Sequence, residues 1–331
     1  MTYAIEGTTH RFVETNGVRL SVYEAEPEGG APPGRPAVVF SHGFPELAYT
    51  WRRQLAAVAA AGFKVIAPDQ RGYGGSDRPD AIRDYDIFHL TGDLVGLLDD
   101  VGVEQGVFVG HDWGGFVVWQ MPLLHRDRVA GVIGLNTPYL PRLPLLPTEM
   151  FRLVGGDNHY VLYFQEPGVA DAALATDIPA VFEHLMRRSV DPAGLGTVTD
   201  LAGDFATAIS TAPLVGDDLL TPADLAVYVD TFTETGFTGG LNWYRNFDHN
   251  WEATPELDGA RIDGLPCLMI TAEWDPVLAP ALAQGMPAVI DDLEMHEIER
   301  CGHWTQQEHP ERTTELIVDF LARRFAGQPN R

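Results

Sequence analysis

The chain has 331 residues, enough for two average domains or for one large α/β domain that carries an insertion. Hydrophobic residues make up 45% and charged residues 21% of it, which excludes a mainly disordered chain. The 22 Lys and Arg against 47 Asp and Glu give a formal net charge of −25. This charge argues against nucleic acid or an anionic membrane surface as a partner.

The two cysteines, Cys267 and Cys301, are too few for a disulfide framework or a zinc site and are interpreted as free thiols. The first residues lack the basic and apolar segments of a signal peptide, and no apolar run approaches the ~18 residues that span a bilayer. We therefore expect a cytoplasmic protein without a membrane partner. The sequence leaves a monomer and a homodimer equally open.

The first predicted element is a hairpin, in which residues 12–15 and 18–23 flank Asn16-Gly17, a pair that favours a type I′ turn. Short β-branched runs then alternate with stretches of helical spacing. This alternation is typical of a mainly parallel sheet with helices on both faces. The predicted strands are 37–41, 64–68, 107–110 and 129–135, and the predicted helices are 51–61, 87–101 and 114–125.

The alternation stops after Asn136. Residues 138–253 contain many prolines and several helix-like segments, beginning with an extended Pro-rich linker at 139–147. Strands are predicted again at 267–271 and 295–298, followed by an amphipathic helix near 311–325. We predict one α/β sheet domain in two parts, residues 1–137 and 254–331, interrupted by a mostly helical insertion at 138–253.

The most informative segment, Gly110-His111-Asp112-Trp113-Gly114, joins a predicted strand to a predicted helix. Gly-x-Asp-x-Gly at such a junction is the arrangement of a nucleophile elbow, with Asp112 where Ser often stands. The glycines avoid crowding in a strained turn, and His111 is expected to pack or to form local hydrogen bonds. The alternative is that Asp112 only caps the following helix.

Two further residues complete the chain order nucleophile, acid, histidine. Asp275 follows the strand at 267–271, and His303 lies between the next strand and the last helix. Each is a weak signal alone, because acidic residues often begin loops and a single His is usually structural. Three such residues at successive strand ends, in the required order, predict a catalytic triad.

The segment His42-Gly43-Phe44-Pro45 ends an earlier strand. The backbone N–H groups of Phe44 and Trp113 then stand where an oxyanion would be stabilised. Pro45 has no N–H and is expected to fix the turn that directs the Phe44 N–H. An ordinary turn is the alternative interpretation.

Six motifs stand out along the chain. They are residues 42–46 (His-Gly-Phe-Pro-Glu), 68–74 (Pro-Asp-Gln-Arg-Gly-Tyr-Gly), 110–114 and 301–304 (Cys-Gly-His-Trp), with 160–168 and 241–246 inside the insertion. Together they resemble the soluble epoxide hydrolases of the α/β-hydrolase superfamily over nearly the whole chain. The two insertion motifs are characteristic of epoxide hydrolases, whereas the others are superfamily-wide. The resemblance implies an α/β-hydrolase fold with a helical cap domain, in which Tyr160 and Tyr244 hold the epoxide oxygen.

A carboxylate nucleophile suits this chemistry because it is already ionised and displaces at a saturated carbon without a general base. The resulting alkyl ester is expected to be hydrolysed by water that His303 deprotonates, with Asp275 stabilising the imidazolium. The expected reaction converts a small neutral, apolar epoxide and water to a vicinal diol, with no metal or organic cofactor.

Several aromatic residues have two interpretations. Tyr163 is a rival for Tyr160 on roughly the same helical face, and packing is the alternative for all three tyrosines. The resemblance favours catalysis for Tyr160 and Tyr244 and packing for Tyr163. Trp243 and Trp304 are predicted to contact substrate in the pocket or to pack behind it.

Other protein classes remain as alternatives. A haloalkane dehalogenase would use the same triad, with the Trp113 indole on the halide, but Phe44 stands where that family often carries Asn. A fluoroacetate dehalogenase would need Arg beside the nucleophile. A non-catalytic ligand-binding protein of this fold would be expected to lack a triad residue or a tyrosine, and all are present.

Overall fold

The computed structural model describes residues 2–191 and 213–325. Within these ranges eight strands form one sheet in the order β1-β2-β4-β3-β5-β6-β7-β8. β2 pairs antiparallel with β1 and β4, and the remaining neighbours are parallel, which confirms the predicted mainly parallel sheet. The strands are β1 (Thr9–Thr15), β2 (Val18–Ala25), β3 (Ala37–Ser41), β4 (Val65–Asp69), β5 (Gly106–His111), β6 (Val129–Leu135), β7 (Cys267–Ala272) and β8 (Leu293–Ile298).

Helices lie before, within and after the interruption of the sheet. Those before it are α1 (Leu55–Ala60), α2 (Ile87–Asp100) and α3 (Trp113–Leu124). Between β6 and β7 come α4 (Pro147–Gly155), α5 (Tyr160–Tyr163), α6 (Val169–Leu174), α7 (Ile178–Leu185), α8 (Pro222–Thr235), α9 (Thr238–Tyr244) and α10 (Phe247–Ala253), here called the inserted helices. After β8 follow α11 (Thr305–Glu308) and α12 (Pro310–Phe325), and short 3₁₀ helices occupy Ala48–Trp51, Ile82–Tyr85, Arg126–Arg128, Pro255–Leu257 and Pro280–Ala288.

Successive strand residues point to opposite faces, so the sheet separates two apolar layers. Val38 and Val107 belong to the layer that packs against α1 and α12. Val39 and Phe108 belong to the opposite layer, which includes residues of α2, α3 and the inserted helices. The loops that carry the predicted triad residues all follow the carboxyl ends of parallel strands: Asp112 follows β5, Asp275 follows β7 and His303 follows β8.

The predicted hairpin is confirmed. Asn16 and Gly17 have φ of 47° and 77°, the two positive values that a type I′ turn requires. The Asn16 side chain also donates a hydrogen bond to Asp93 of α2 at 2.8 Å. The turn thus closes the hairpin and ties it to the helix layer.

The predicted helix at 51–61 is wrong in its first part. A 3₁₀ helix ends at Trp51, and α1 begins only at Leu55. The Trp51 ring packs 5.1 Å from the Phe40 ring, and the Gln54 side chain donates to the Gln306 carbonyl at 3.0 Å. These distant contacts outweigh the helical spacing that the sequence shows.

The chain between β6 and β7 begins with an irregular segment that runs to residue 146, as the Pro-rich pattern predicts. α4 then starts at Pro147, where the fixed φ of proline suits a first helical turn. Part of the predicted insertion, residues 192–212, lies outside the described residues. In the described ranges, none of the helices combines the length and the apolar character needed to cross a bilayer.

Candidate active site

Asp112 stands at a strained junction between β5 and α3. Its φ of 52° and ψ of −120° are rare for a residue with a side chain. A Cβ atom at Gly110 would collide with the Gly114 carbonyl, and one at Gly114 would collide with the Ser41 carbonyl. The two glycines are therefore needed for the turn itself. The Asp112 side chain makes no N-cap hydrogen bond, and its contact with the start of α3 is with the adjacent Trp113 N–H, so the helix-cap alternative is wrong.

The two carboxylate oxygens of Asp112 have different surroundings. Oδ1 accepts a hydrogen bond from the Phe44 N–H at 2.8 Å, and the Trp113 N–H also donates to the carboxylate. Oδ2 lies 3.8 Å from Nε2 of His303. Burial raises the pKa of Asp112, and the charge of His303 with the backbone donors opposes that rise.

Asp275 holds His303 from the far side of the imidazole ring. Nδ1 of His303 donates to Oδ2 of Asp275 at 3.0 Å, and Oδ1 accepts the N–H groups of Val277 and Leu278 at 2.9 and 3.0 Å. Asn136 adds a hydrogen bond of 2.6 Å to Oδ2. Burial alone would raise the pKa of Asp275, but His303 and these donors lower it to about 2.

Neighbouring carboxylates control the charge of His303. Burial would lower the pKa of His303, yet the Asp275 carboxylate, with Asp112 and then Glu46, raises it to about 9. With a pKa of about 9, His303 is mainly protonated at neutral pH. Its positive charge favours the ionised form of Asp112 and so opposes the effect of burial on that carboxylate.

Two tyrosines of the inserted helices meet near the nucleophile. Tyr160 begins α5 and Tyr244 ends α9, with ring centroids 6.3 Å apart. The Tyr244 ring packs edge-on against the Trp113 indole at 5.0 Å. Burial, and next the charge of Asp112, raise the pKa of both phenols, so both remain neutral hydrogen-bond donors. Tyr163, one turn further along α5, contacts the Phe164 ring at 6.1 Å.

Comparison with known proteins agrees with this geometry. Residues 36–212 match the family model described as alpha/beta hydrolase fold. The chain is 50% identical over 324 residues to epoxide hydrolase A of Mycobacterium tuberculosis. The aligned part covers 95% of this chain and 97% of that relative. The crystal structure of epoxide hydrolase A from Mycobacterium thermoresistibile has a TM-score of 0.85 and 44% identity, covering 98% of this chain and all of that one.

The chain belongs to the epoxide hydrolases of the α/β-hydrolase family. The family resemblance and the fold class predicted from the motifs are thereby confirmed. A further relative, bifunctional epoxide hydrolase 2 of Rattus norvegicus, is 41% identical over 289 residues, or 86% of this chain. The chain spans only about half of that longer relative, 51% of its length.

The two tryptophans with a double interpretation are both buried. The Trp243 indole N–H donates to the Arg71 carbonyl at 3.2 Å, and its ring packs 5.8 Å from that of Trp113. The Trp304 indole N–H donates to the Leu185 carbonyl at 2.5 Å, and the Trp304 ring lies 4.7 Å from that of His303. This geometry favours packing behind the site over direct contact with substrate in this epoxide hydrolase.

A buried polar network that the sequence analysis missed holds the backbone of His303. Nδ1 of His111 lies 2.8 Å from Oε2 of Glu46, and Nε2 lies 2.6 Å from the His303 carbonyl oxygen. Gln306 donates to Oε1 of Glu46 at 2.9 Å. The hydrogen-bond partners of His111 are therefore distant in the chain, not local, because three loops converge at the carboxyl edge of the sheet. The expected packing is present, with the His111 ring 5.0 Å from that of His303.

Asn136 was also missed as a member of the site. It is the first residue after β6, with φ of 62°, and its side chain donates a hydrogen bond to Asp275, the predicted triad acid. The signal in the sequence was a polar residue at the end of an apolar strand, next to the strand that precedes Asp275. That pattern places Asn136 at the carboxyl edge of the sheet but does not show that Asp275 is its hydrogen-bond partner.

Proposed function

We propose that this epoxide hydrolase converts epoxides to vicinal diols through a covalent ester on Asp112. The observation that carries the proposal is the asymmetric setting of the Asp112 carboxylate. Oδ1 already accepts the Phe44 N–H at 2.8 Å, whereas Oδ2 faces His303 at 3.8 Å. One oxygen is thus held where an oxyanion would form, and the other is available to attack.

In the first step Oδ2 attacks one carbon of the epoxide and the bond from that carbon to the ring oxygen breaks. Charge then develops on the ring oxygen as an alkoxide, which Tyr160 and Tyr244 stabilise by donating hydrogen bonds. Their raised pKa keeps the phenols protonated until a stronger base, the alkoxide, accepts a proton. The products are a neutral ester on Asp112 and a free hydroxyl group.

In the second step water attacks the ester carbonyl carbon of Asp112. His303 takes a proton from this water, and Asp275 stabilises the imidazolium through the 3.0 Å hydrogen bond. The negative charge moves to Oδ1, which the Phe44 N–H faces, and the Trp113 N–H next to the carboxylate adds a second donor. Collapse of this tetrahedral intermediate breaks the ester bond, and the His303 imidazolium gives its proton to the oxygen of the leaving diol. The new carboxyl group of Asp112 loses its proton, which restores the phenol that was deprotonated in the first step, so the carboxylate and both tyrosines are regenerated.

The substrates proposed are small, neutral and apolar. The ring of Phe44 packs against Tyr244 at 5.4 Å and Phe164 at 5.8 Å, and that of Trp113 stacks on Phe247 at 4.5 Å. Aromatic rings favour an apolar ligand, and the net charge of −25 disfavours an anionic one. Residues 138–253 form the cap in this proposal, and the cytoplasmic location and the choice between monomer and homodimer stay predictions.

A trapped intermediate tests the mechanism. In His303→Gln, ring opening by the ionised Asp112 should continue while ester hydrolysis stops. Intact-protein mass spectrometry should then show a gain of one substrate mass, which peptide mapping should locate on Asp112. Asn158→Gln, which lengthens an exposed amide side chain, serves as the control and should show no adduct.

The same assay separates the alternatives. A wild-type single turnover in ¹⁸O-water should label Asp112 and leave the first diol unlabelled, because water attacks the ester carbonyl. No adduct in His303→Gln together with a fully labelled first diol would mean direct attack of water on the epoxide. Halide release from haloalkanes without diol formation from epoxides would instead support a dehalogenase.

A further inference from the structure

The carboxylate of Glu308, the last residue of α11, is buried and has no role in the reaction described above. Only 6% of the residue is exposed. Among the residues that the structure describes, its hydrogen-bond partners are neutral donors: the N–H groups of Gly302, Trp304 and Ser189 and the Ser189 hydroxyl. Burying a carboxylate is costly unless hydrogen bonds satisfy it, so these contacts hold the donating segments firmly.

Two of the donors flank the catalytic histidine in the chain. The Gly302 N–H reaches Oε2 of Glu308 and the Trp304 N–H reaches Oε1, both at 3.2 Å. One side chain therefore fixes the peptide group that follows His303 and the peptide group that precedes Gly302. The distance from His303 to Oδ2 of Asp112 and its hydrogen bond to Asp275 depend on this backbone.

The same carboxylate also binds the segment that follows α7. The Ser189 N–H donates to Oε2 at 3.0 Å and its hydroxyl to Oε1 at 3.4 Å. Two neighbouring contacts join the same segment to the same loop: Arg188 donates to the Glu308 carbonyl at 3.2 Å, and the Trp304 indole donates to the Leu185 carbonyl. Residues 185–189 are thus connected through Glu308 to the backbone of His303.

We propose that Glu308 is a positioning residue for His303, and that it makes the rate of ester hydrolysis depend on where residues 185–189 lie. The inference rests on the role proposed for His303 in the second step. Ring opening requires Asp112 and the two tyrosines but no proton transfer by His303. A loosened His303 loop should consequently slow the second step and leave the first nearly unchanged.

Glu308→Gln tests this inference because it keeps the size of the side chain but replaces one acceptor oxygen with an NH₂ group. That group cannot accept from the backbone N–H groups it would face. With protein in excess over substrate, epoxide loss measures ring opening and diol appearance measures ester hydrolysis. We expect ring opening within about twofold of wild type and hydrolysis about tenfold slower, equivalent to about 1.4 kcal/mol in the barrier.

The matched control is Glu299→Gln, which removes the same charge from an exposed position in the loop before Cys301. It should leave both rates unchanged. A purely structural role for Glu308 would reduce the active fraction and so lower the amplitudes of both steps together. An equal slowing of both steps, or unchanged hydrolysis, would overturn the proposal.

Ser189→Ala provides a second, milder variant that keeps the buried carboxylate and removes only the hydroxyl donor. Hydrolysis should slow by about twofold to threefold, with ring opening unaffected. If Glu308→Gln does not fold, unchanged hydrolysis in Ser189→Ala overturns the inference. His303→Gln, measured in parallel, distinguishes failure of the proposed mechanism from failure of this inference. If His303→Gln traps no ester, the two-step mechanism itself fails. If it traps an ester and Glu308→Gln has normal kinetics, only the role of Glu308 is rejected.

Discussion

The two halves of the proposed active site are held by different forces. The sheet contributes Asp112, Asp275 and His303, whose polar atoms are fixed by backbone N–H groups and by buried side chains such as Asn136. The inserted helices contribute Tyr160 and Tyr244, which are surrounded mainly by aromatic rings. Tyr160 lies on a helix of only four residues and remains partly exposed.

This difference follows from the chemistry that each half performs. Ionised groups in a buried site are costly unless every lone pair and proton finds a partner, so the triad needs a dense and specific network. A neutral phenol needs only one well-directed hydroxyl, and ring packing is enough to orient it. Changes in the sheet half should therefore abolish or stall the reaction, whereas changes in the inserted half should slow ring opening.

The largest effect is expected for Asp112→Asn. The amide is neutral and a poor nucleophile, so diol formation should fall by on the order of 10⁶-fold, the loss seen when a catalytic nucleophile is removed. Diol should be measured on freshly prepared protein, with peptide mapping to exclude deamidation back to Asp. Full activity of intact Asp112→Asn would rule out covalent catalysis at this position and remove the basis for comparing the two halves.

A smaller effect is expected for the inserted half. Tyr160→Phe and Tyr244→Phe each remove one donor to the alkoxide and should slow ring opening by about 10²–10³-fold, less where the second phenol compensates. Ester hydrolysis, measured as diol appearance from the preformed ester, should stay near the wild-type rate. This separation of steps is the sharpest test of the division between the halves.

Tyr163→Phe is the matched control for both tyrosines, since it makes the same change one turn further along α5. It should change neither step appreciably. If it proves to be the crippling substitution, Tyr163 and not Tyr160 donates to the alkoxide, and the sequence motif has been aligned one turn out of register.

Within the sheet half, the sequence predicts the proposed triad better than the side chains that support it. Strand ends and the order nucleophile, acid, histidine are local signals, and the elbow glycines at 110 and 114 have a steric reason that is visible in the motif. Asn136, and the contact of His111 with the His303 carbonyl, come from loops far apart in the chain. Hydrophobic periodicity shows which residues reach the edge of the sheet but not which of them will touch.

The smallest predicted effect is a shift in pH dependence between the two steps. In the free protein burial would lower the pKa of His303, but Asp275 and then Asp112 raise it to about 9. Ester formation neutralises Asp112 and removes one of the charges that raise this pKa, so His303 should lose its proton at lower pH in the ester than in the free protein. Since water activation requires neutral His303, ester hydrolysis should accelerate with rising pH and level off below about pH 9, changing several-fold per pH unit on the rising limb.

Two measurements check this shift. Single-turnover hydrolysis rates give the pKa of His303 in the ester form, and NMR titration of His303 gives its pKa in the free protein. A value in the ester equal to or above the free value would show that the charge of Asp112 does not act on His303, and the electrostatic coupling inferred within the sheet half would be wrong.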